Sequence, residues 1–269
     1  AVEPLQKLIR QSANPLTRLH ALWCLEGLGA LSGDEIALAL ADKSPGVREN
    51  ALKLSESRLA KSPVLLEKVV LLANDPEIRV RFQTALSLGE INSSKVATTL
   101  FSIAKRDPEN PWIRAAVLSC QPDVCAPLVR FLIGDEGFVR TPAGQNFLRQ
   151  LTFVLGAQNT IKNLYEILTS YGFIPYCECE IDESFLGGLG DGLRQAGKNF
   201  RTAFPNAASM GAIKMDSILS EAVRLAENQT EPADKRRKAI QLLGYEEFDK
   251  AKGTLSKLLE AHEPQEIQM

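Results

Sequence analysis

Apolar residues recur along this chain at intervals of three and four, not at alternate positions. That period marks amphipathic helices, and no stretch alternates long enough to predict a strand. Four predicted helix starts share one punctuation. Asn14-Pro15-Leu16-Thr17-Arg18 runs on into Ala21-Leu22 and Leu25. Ser44-Pro45-Gly46-Val47-Arg48 runs on into Ala51-Leu52 and Leu54. Asp75-Pro76-Glu77-Ile78-Arg79 leads to Ala85-Leu86 and Leu88-Gly89, and Asn110-Pro111-Trp112-Ile113-Arg114 to Ala115-Ala116-Val117-Leu118. The prolines stand 30, 31 and 35 residues apart. A weaker fifth copy is Glu231-Pro232-Ala233-Asp234-Lys235.

Each part of the repeat has a physical reason. Asn, Ser or Asp before the proline caps a helix by accepting from an orphaned N–H. Proline suits the next position because its missing donor costs nothing there. The arginine follows one helical turn later, and the small residue beyond it lets a neighbouring helix approach. Shorter apolar stretches at 36–40, 64–72 and 96–104 predict a second helix before each later start. One hairpin of this size cannot bury its own apolar face, so hairpins must stack. The expected fold is therefore all-α, a right-handed α-solenoid of helical hairpins spanning 1–269 as one domain. The repeat positions Pro15, Arg18, Pro45, Arg48, Pro76, Arg79, Pro111 and Arg114 are its structural markers. The arginines are expected to form a ladder, each pairing with acidic or carbonyl groups of the adjoining repeat.

Beyond residue 120 the punctuation fades. Segments 125–133 and 147–156 read as a hairpin, and 161–170 as a further helix. An irregular, glycine-rich insert is expected at 172–200, with glycines at 187, 188, 190, 192 and 197. Helical periodicity returns at 213–225, 232–243 and 248–261. The chain opens on Ala1 without a methionine and stops at Gln268-Met269 after a helical stretch, so it reads as a fragment of a larger chain.

Charge narrows the partners. The 269 residues carry 31 Lys and Arg against 33 Asp and Glu, a net charge of −2, which argues against a basic nucleic-acid clamp. Hydrophobic residues at 45% and charged residues at 24% are ordinary for a globular fold. No uncharged apolar run is long enough to predict a transmembrane segment. The five cysteines, an odd count, do not suggest a disulfide framework.

Little in the sequence points to catalysis. The two histidines, His20 and His262, have no acid or hydroxyl partner placed by spacing, so no triad is predicted. Cys24 reads as a small core residue, His20 as a partly buried structural histidine, and Trp23 and Trp112 as core or inter-repeat packing. The metal candidate is Cys177-Glu178-Cys179-Glu180, a weak one because Cys177 and Cys179 lack a second ligand pair. The string Gly192-Leu193-Arg194-Gln195-Ala196-Gly197-Lys198 approaches a phosphate-binding loop, but Asn199 stands where Ser or Thr would hold magnesium. A helix closed by a glycine accounts for it better. The basic run Lys235-Arg236-Arg237-Lys238 is expected to be a solvated face. Asn92-Ser93-Ser94 and Asn228-Gln229-Thr230 fit glycosylation acceptors, a pattern common by chance. No cofactor and no catalytic residue is expected in this segment.

The Pro-x-x-Arg start followed by Ala-Leu and a Leu-Gly end resembles HEAT and HEAT-like repeats. Leu19-His20-Ala21-Leu22-Trp23-Cys24-Leu25-Glu26-Gly27-Leu28-Gly29, Val47-Arg48-Glu49-Asn50-Ala51-Leu52 and Asp191-Gly192-Leu193-Arg194 are similar to a particular bacterial family. Its members are the membrane-bound dehydrogenase and haem-binding proteins of planctomycetes and verrucomicrobia. The resemblance implies a non-catalytic spacer between a sugar-dehydrogenase-like propeller and a c-type cytochrome domain, in an exported or periplasmic protein. Its partners would be flanking domains of the same chain or another protein. This chain has no Cys-x-x-Cys-His for haem attachment. Two alternatives remain, a free-standing peptide- or protein-binding HEAT scaffold and an enzyme similar to HEAT-like bilin lyases. The second would need acid and aromatic groups gathered on the concave face, where Glu49, Lys53 and Arg81 are mixed in charge.

Overall fold

The computed structural model describes residues 1–158, 179–203, 210–246, 248–260 and 263–268. Among them every regular element is helical. The chain divides into two compact units, Ala1–Val124 and Cys125–Met269.

In the first unit the helices are α1 (Val2–Gln11), α2 (Pro15–Gly27), α3 (Gly33–Ala39), α4 (Pro45–Leu59), α5 (Pro63–Leu71), α6 (Ile78–Gly89), α7 (Ser94–Arg106) and α8 (Pro111–Leu118). A single 3₁₀ turn, Leu72–Asn74, follows α5. The starts obey the capping logic. Asn14 accepts from the Leu16 N–H, and Asn110 from the Trp112 and Ile113 N–H groups, with proline in the first turn of each helix. Ser32 and Glu35 form a capping box at α3. Helices α2, α4, α6 and α8 pack in succession as one row, while α3, α5, the 3₁₀ turn and α7 form the other. Between the rows Leu22, Leu25, Ile36, Leu52, Leu88, Leu100 and Ile103 are fully buried. Each such side chain stabilises by about 1.5–3 kcal/mol relative to an exposed one.

A polar ladder runs through this apolar stack. The fourth residue of α2, Arg18, donates from Nε and Nη2 to the two carboxylate oxygens of Asp42, both at 2.6 Å. The fourth residue of α4, Arg48, grips Asp75 at 2.7 and 2.8 Å, and the fourth of α6, Arg81, grips Asp107 at 2.8 and 2.7 Å. Each Nη1 turns back to the loop before its own helix. It donates to the carbonyl of Ser12 at 2.8 Å from Arg18, of Asp42 at 2.7 Å from Arg48 and of Asp75 at 2.7 Å from Arg81. Asp42 and Asp75 also accept the N–H of Ser44 and Glu77. Each of these two aspartates therefore takes one arginine on its side chain and the next on its backbone, which makes the rungs continuous.

The arginine expected at residue 79 is displaced from this ladder. Pro76 lies two residues before α6 begins, with Glu77 as the cap, so the fourth helical residue is Arg81. Arg79 instead lies exposed and pairs with Glu49. Other expectations also change. Cys24 and His20 are exposed. Trp112 is 72% exposed and Trp23 43%, so neither is core, although Trp23 does reach the next repeat through Asn50.

From residue 122 on, the helices are α9 (Pro122–Gly134), α10 (Glu136–Val139), α11 (Pro142–Gln158), α12 (Cys179–Gln195), α13 (Phe200–Ala203), α14 (Met210–Glu227), α15 (Ala233–Leu243), α16 (Phe248–Leu258) and α17 (Gln265–Gln268). The irregular insert expected at 172–200 is corrected over 179–195, which is one helix. Residues 172–178 and the helix expected at 161–170 lie outside the described residues. The glycines serve close packing of α12 on α11. A methyl at Gly188 would run into the Arg149 carbonyl and Thr152 Oγ1, and one at Gly192 into the Phe153 carbonyl. From the other side, a methyl at Gly156 would meet the Leu189 carbonyl. The string that approached a phosphate loop is the end of α12. Gly197 at φ 71° lets the Lys198 N–H reach the Leu193 carbonyl and its own N–H reach that of Arg194.

The second unit repeats the ladder motif at Arg236. Arg236, the fourth residue of α15, donates to Glu263 at 2.7 Å and to the Ala226 carbonyl at 2.9 Å. It is 2% exposed, so the expected solvated face of residues 235–238 does not include it.

Two outcomes follow from this packing. Burial pushes the Asp42 carboxyl up, but the bonds from Arg18 and the Ser44 N–H and the charges of Arg18 and Arg48 outweigh it and hold its pKa below the usual value. A carboxylate with a lowered folded pKa stabilises above its unfolded pKa, and that contribution is lost as pH falls through the folded value. Calorimetry across pH should show stability falling below about pH 4, and Asp42→Asn should reduce that acid sensitivity while lowering stability at neutral pH. An Asp42→Asn chain with the parent's pH profile would contradict the ladder. In the second unit, Gly192→Ala should destabilise by about 1–3 kcal/mol through overpacking, read by urea unfolding, whereas Gly253→Ala, with open space around it, should not.

Candidate functional site

The outward side of the row α2, α4, α6 and α8 carries the first unit's two tryptophans. On α2, Leu16, His20 and Trp23 fall at i, i+4 and i+7, so one exposed stripe holds all three. The Trp23 indole N–H donates to Asn50 Oδ1 at 3.0 Å, and Asn50 donates to the Gly46 carbonyl at 2.8 Å. These bonds fix the ring across the α2–α4 contact while leaving it open to solvent. One residue earlier than Asn50 on α4, Glu49 accepts from Lys53 at 3.2 Å and from Arg79 of α6 at 2.6 Å. The last helix of the row carries Trp112 at its second position, the most exposed large apolar side chain described.

Of the repeat markers, Pro15, Pro45 and Pro111 take the first position of α2, α4 and α8, and Pro76 stands ahead of α6. Arg18 and Arg48 are rungs, and Arg81 is a buried rung rather than part of an open concave face. Arg114, the fourth residue of α8, makes no side-chain hydrogen bond or ion pair among the described residues. Sequence reasoning missed the acceptors Asp42, Asp75 and Asp107. Their signal was a carboxylate 24, 27 or 26 residues after each rung arginine.

A second polar cluster ties the second unit together. Arg149 of α11 donates to Glu183 at 2.9 Å and to Asp191 at 2.8 Å, both on α12. The Tyr245 hydroxyl donates to Asp191 at 3.0 Å, and the Arg194 guanidinium lies 5.4 Å from the centre of its ring. Burial and the Asp191 carboxylate push the Tyr245 phenol up, so it stays protonated and remains a donor. Both carboxylates are held by one arginine, which makes the cluster a clasp between α11, α12 and the turn after α15. Asp191-Gly192-Leu193-Arg194 thus has a packing role here.

Among the described residues no group of three or more His, Cys, Asp and Glu side chains is placed to hold a metal ion. Cys177 and His262 lie outside the described residues, as does the side chain of Cys179. No described helix is long and apolar enough to cross a membrane.

No curated protein matches this chain. Residues 34–121, about a third of the chain, match the family of HEAT repeats. The match takes in the rungs at Arg48 and Arg81 and ends beside α8. The chain therefore carries a HEAT-like repeat region, and its fold is that of an all-α solenoid.

Proposed function

We propose that the chain is a non-catalytic repeat scaffold that holds a protein partner on the outward face of α2, α4, α6 and α8. HEAT repeats commonly mediate protein interactions. The observation that carries the reading is the exposure of Trp112 at 72%, with Trp23 on the same row. Leaving an indole in water forgoes the burial of about 150–250 Å². Tryptophan is also the residue type most enriched at the energetic centres of interfaces. The Glu49–Arg79–Lys53 group on the same face supplies a polar surround, which interfaces place at their rim.

A second, finer reading is that the partner domains lie in one longer chain, with this segment as the spacer between a dehydrogenase-like propeller and a c-type cytochrome. It is favoured by the likeness of residues 19–29, 47–52 and 191–194 to that family. Replacing the segment by a flexible linker in such a parent should slow electron transfer, and an unchanged rate would sink the spacer role.

For the scaffold itself, Trp112→Ala and Trp23→Ala together should leave the helical signal unchanged and weaken partner capture by at least about tenfold, as expected for hot-spot aromatics. Quantitative capture with the parent and variant chains side by side checks this. Identical capture by both would place the interaction elsewhere.

A further inference from the structure

We propose that Arg114 is an open rung of the ladder and binds a carboxylate carried by the protein partner. This rests on the scaffold reading and names the chemistry of its partner. The filled rungs define what the position holds. At Arg18, Arg48 and Arg81 the Nε and Nη2 groups take both oxygens of one aspartate, and at Arg236 an Nη2 takes Glu263. These acids lie 24, 27, 26 and 27 residues beyond their arginines. Arg114 has the same register, fourth in a helix that opens with Asn110 as cap and Pro111 at its first position. The same spacing from Arg114 reaches residues 138–141, which are Phe138, Val139, Arg140 and Thr141. None of these four is acidic.

Arg114 is a partly exposed residue, and no carboxylate is paired with it among the described residues. Its planar fork suits two carboxylate oxygens side by side, the geometry the filled rungs show. An aspartate or glutamate on a loop of the partner supplies that pair, as the aspartate of the next repeat does elsewhere in the first unit. Such a contact would extend the ladder across an interface and fix the register of the partner along the row.

The test has two arms on the full chain. First, Arg114→Gln should leave thermal unfolding unchanged, whereas Arg48→Gln should lower it clearly. Equal destabilisation by both would mean that the rung is filled within the chain, and would overturn the proposal. Second, a display library of short random peptides is selected on the parent chain and on Arg114→Gln. Peptides from the parent should be enriched in Asp or Glu at one position and should bind the variant about tenfold more weakly or worse, the loss expected for a charge-assisted pair. Peptides that bind both chains equally, or show no acidic position, would overturn the open rung while leaving the scaffold reading intact. A failure to select any peptide would count against both.

Discussion

An arginine buried against a neighbour's aspartate has few tolerable arrangements. Removing either charge leaves the other desolvated and unpaired, at a cost of about 3–5 kcal/mol. The first unit uses this constraint three times in sequence. Arg18, Arg48 and Arg81 each close on the loop of the following repeat and fold Nη1 back on their own loop. The helix row cannot slide without breaking charge-assisted bonds at every level. Leucine and isoleucine contacts supply most of the stabilisation, but they tolerate small shifts. The rungs are directional, so they set the register.

That rigidity is what an interaction surface needs. Side chains on the outward row are positioned by helices whose spacing the rungs fix. Trp23 is held further by Asn50 on the next helix. A pre-ordered surface loses less entropy on binding than a flexible one. The second unit reaches firmness by another route, through the glycine contact of α11 with α12 and the Arg149–Asp191–Tyr245 clasp. Its Arg236–Glu263 pair repeats the device of the first unit.

Much of the fold was legible in the sequence because helix starts are local. Asn14-Pro15 and Asn110-Pro111 announce α2 and α8 without reference to anything distant. Arg18 and Arg48 were legible because proline is the first residue of their helices. Arg81 was not, since Pro76 sits two residues early and moves the count onto Arg79. Arg236 was missed for a similar reason, with Pro232 as the cap rather than the first residue. The acceptor aspartates were hidden because the hairpin between rung and acid varies in length. Glycines 187–192 were misread because a loop and a close helix contact demand the same absence of a side chain. Trp112 was misread because residue type alone does not say which side of a helix faces water, and here the second position of α8 faces out.

The most direct test of the ladder is a double-mutant cycle across Arg48 and Asp75 in the full chain. Arg48→Met and Asp75→Leu are measured singly and together by urea unfolding. If the rung holds the stack, the two changes are strongly coupled, with an interaction energy above about 1 kcal/mol and a double variant more stable than the single effects added. Single effects that simply add would contradict the ladder, and would leave the register of the helices to apolar packing alone.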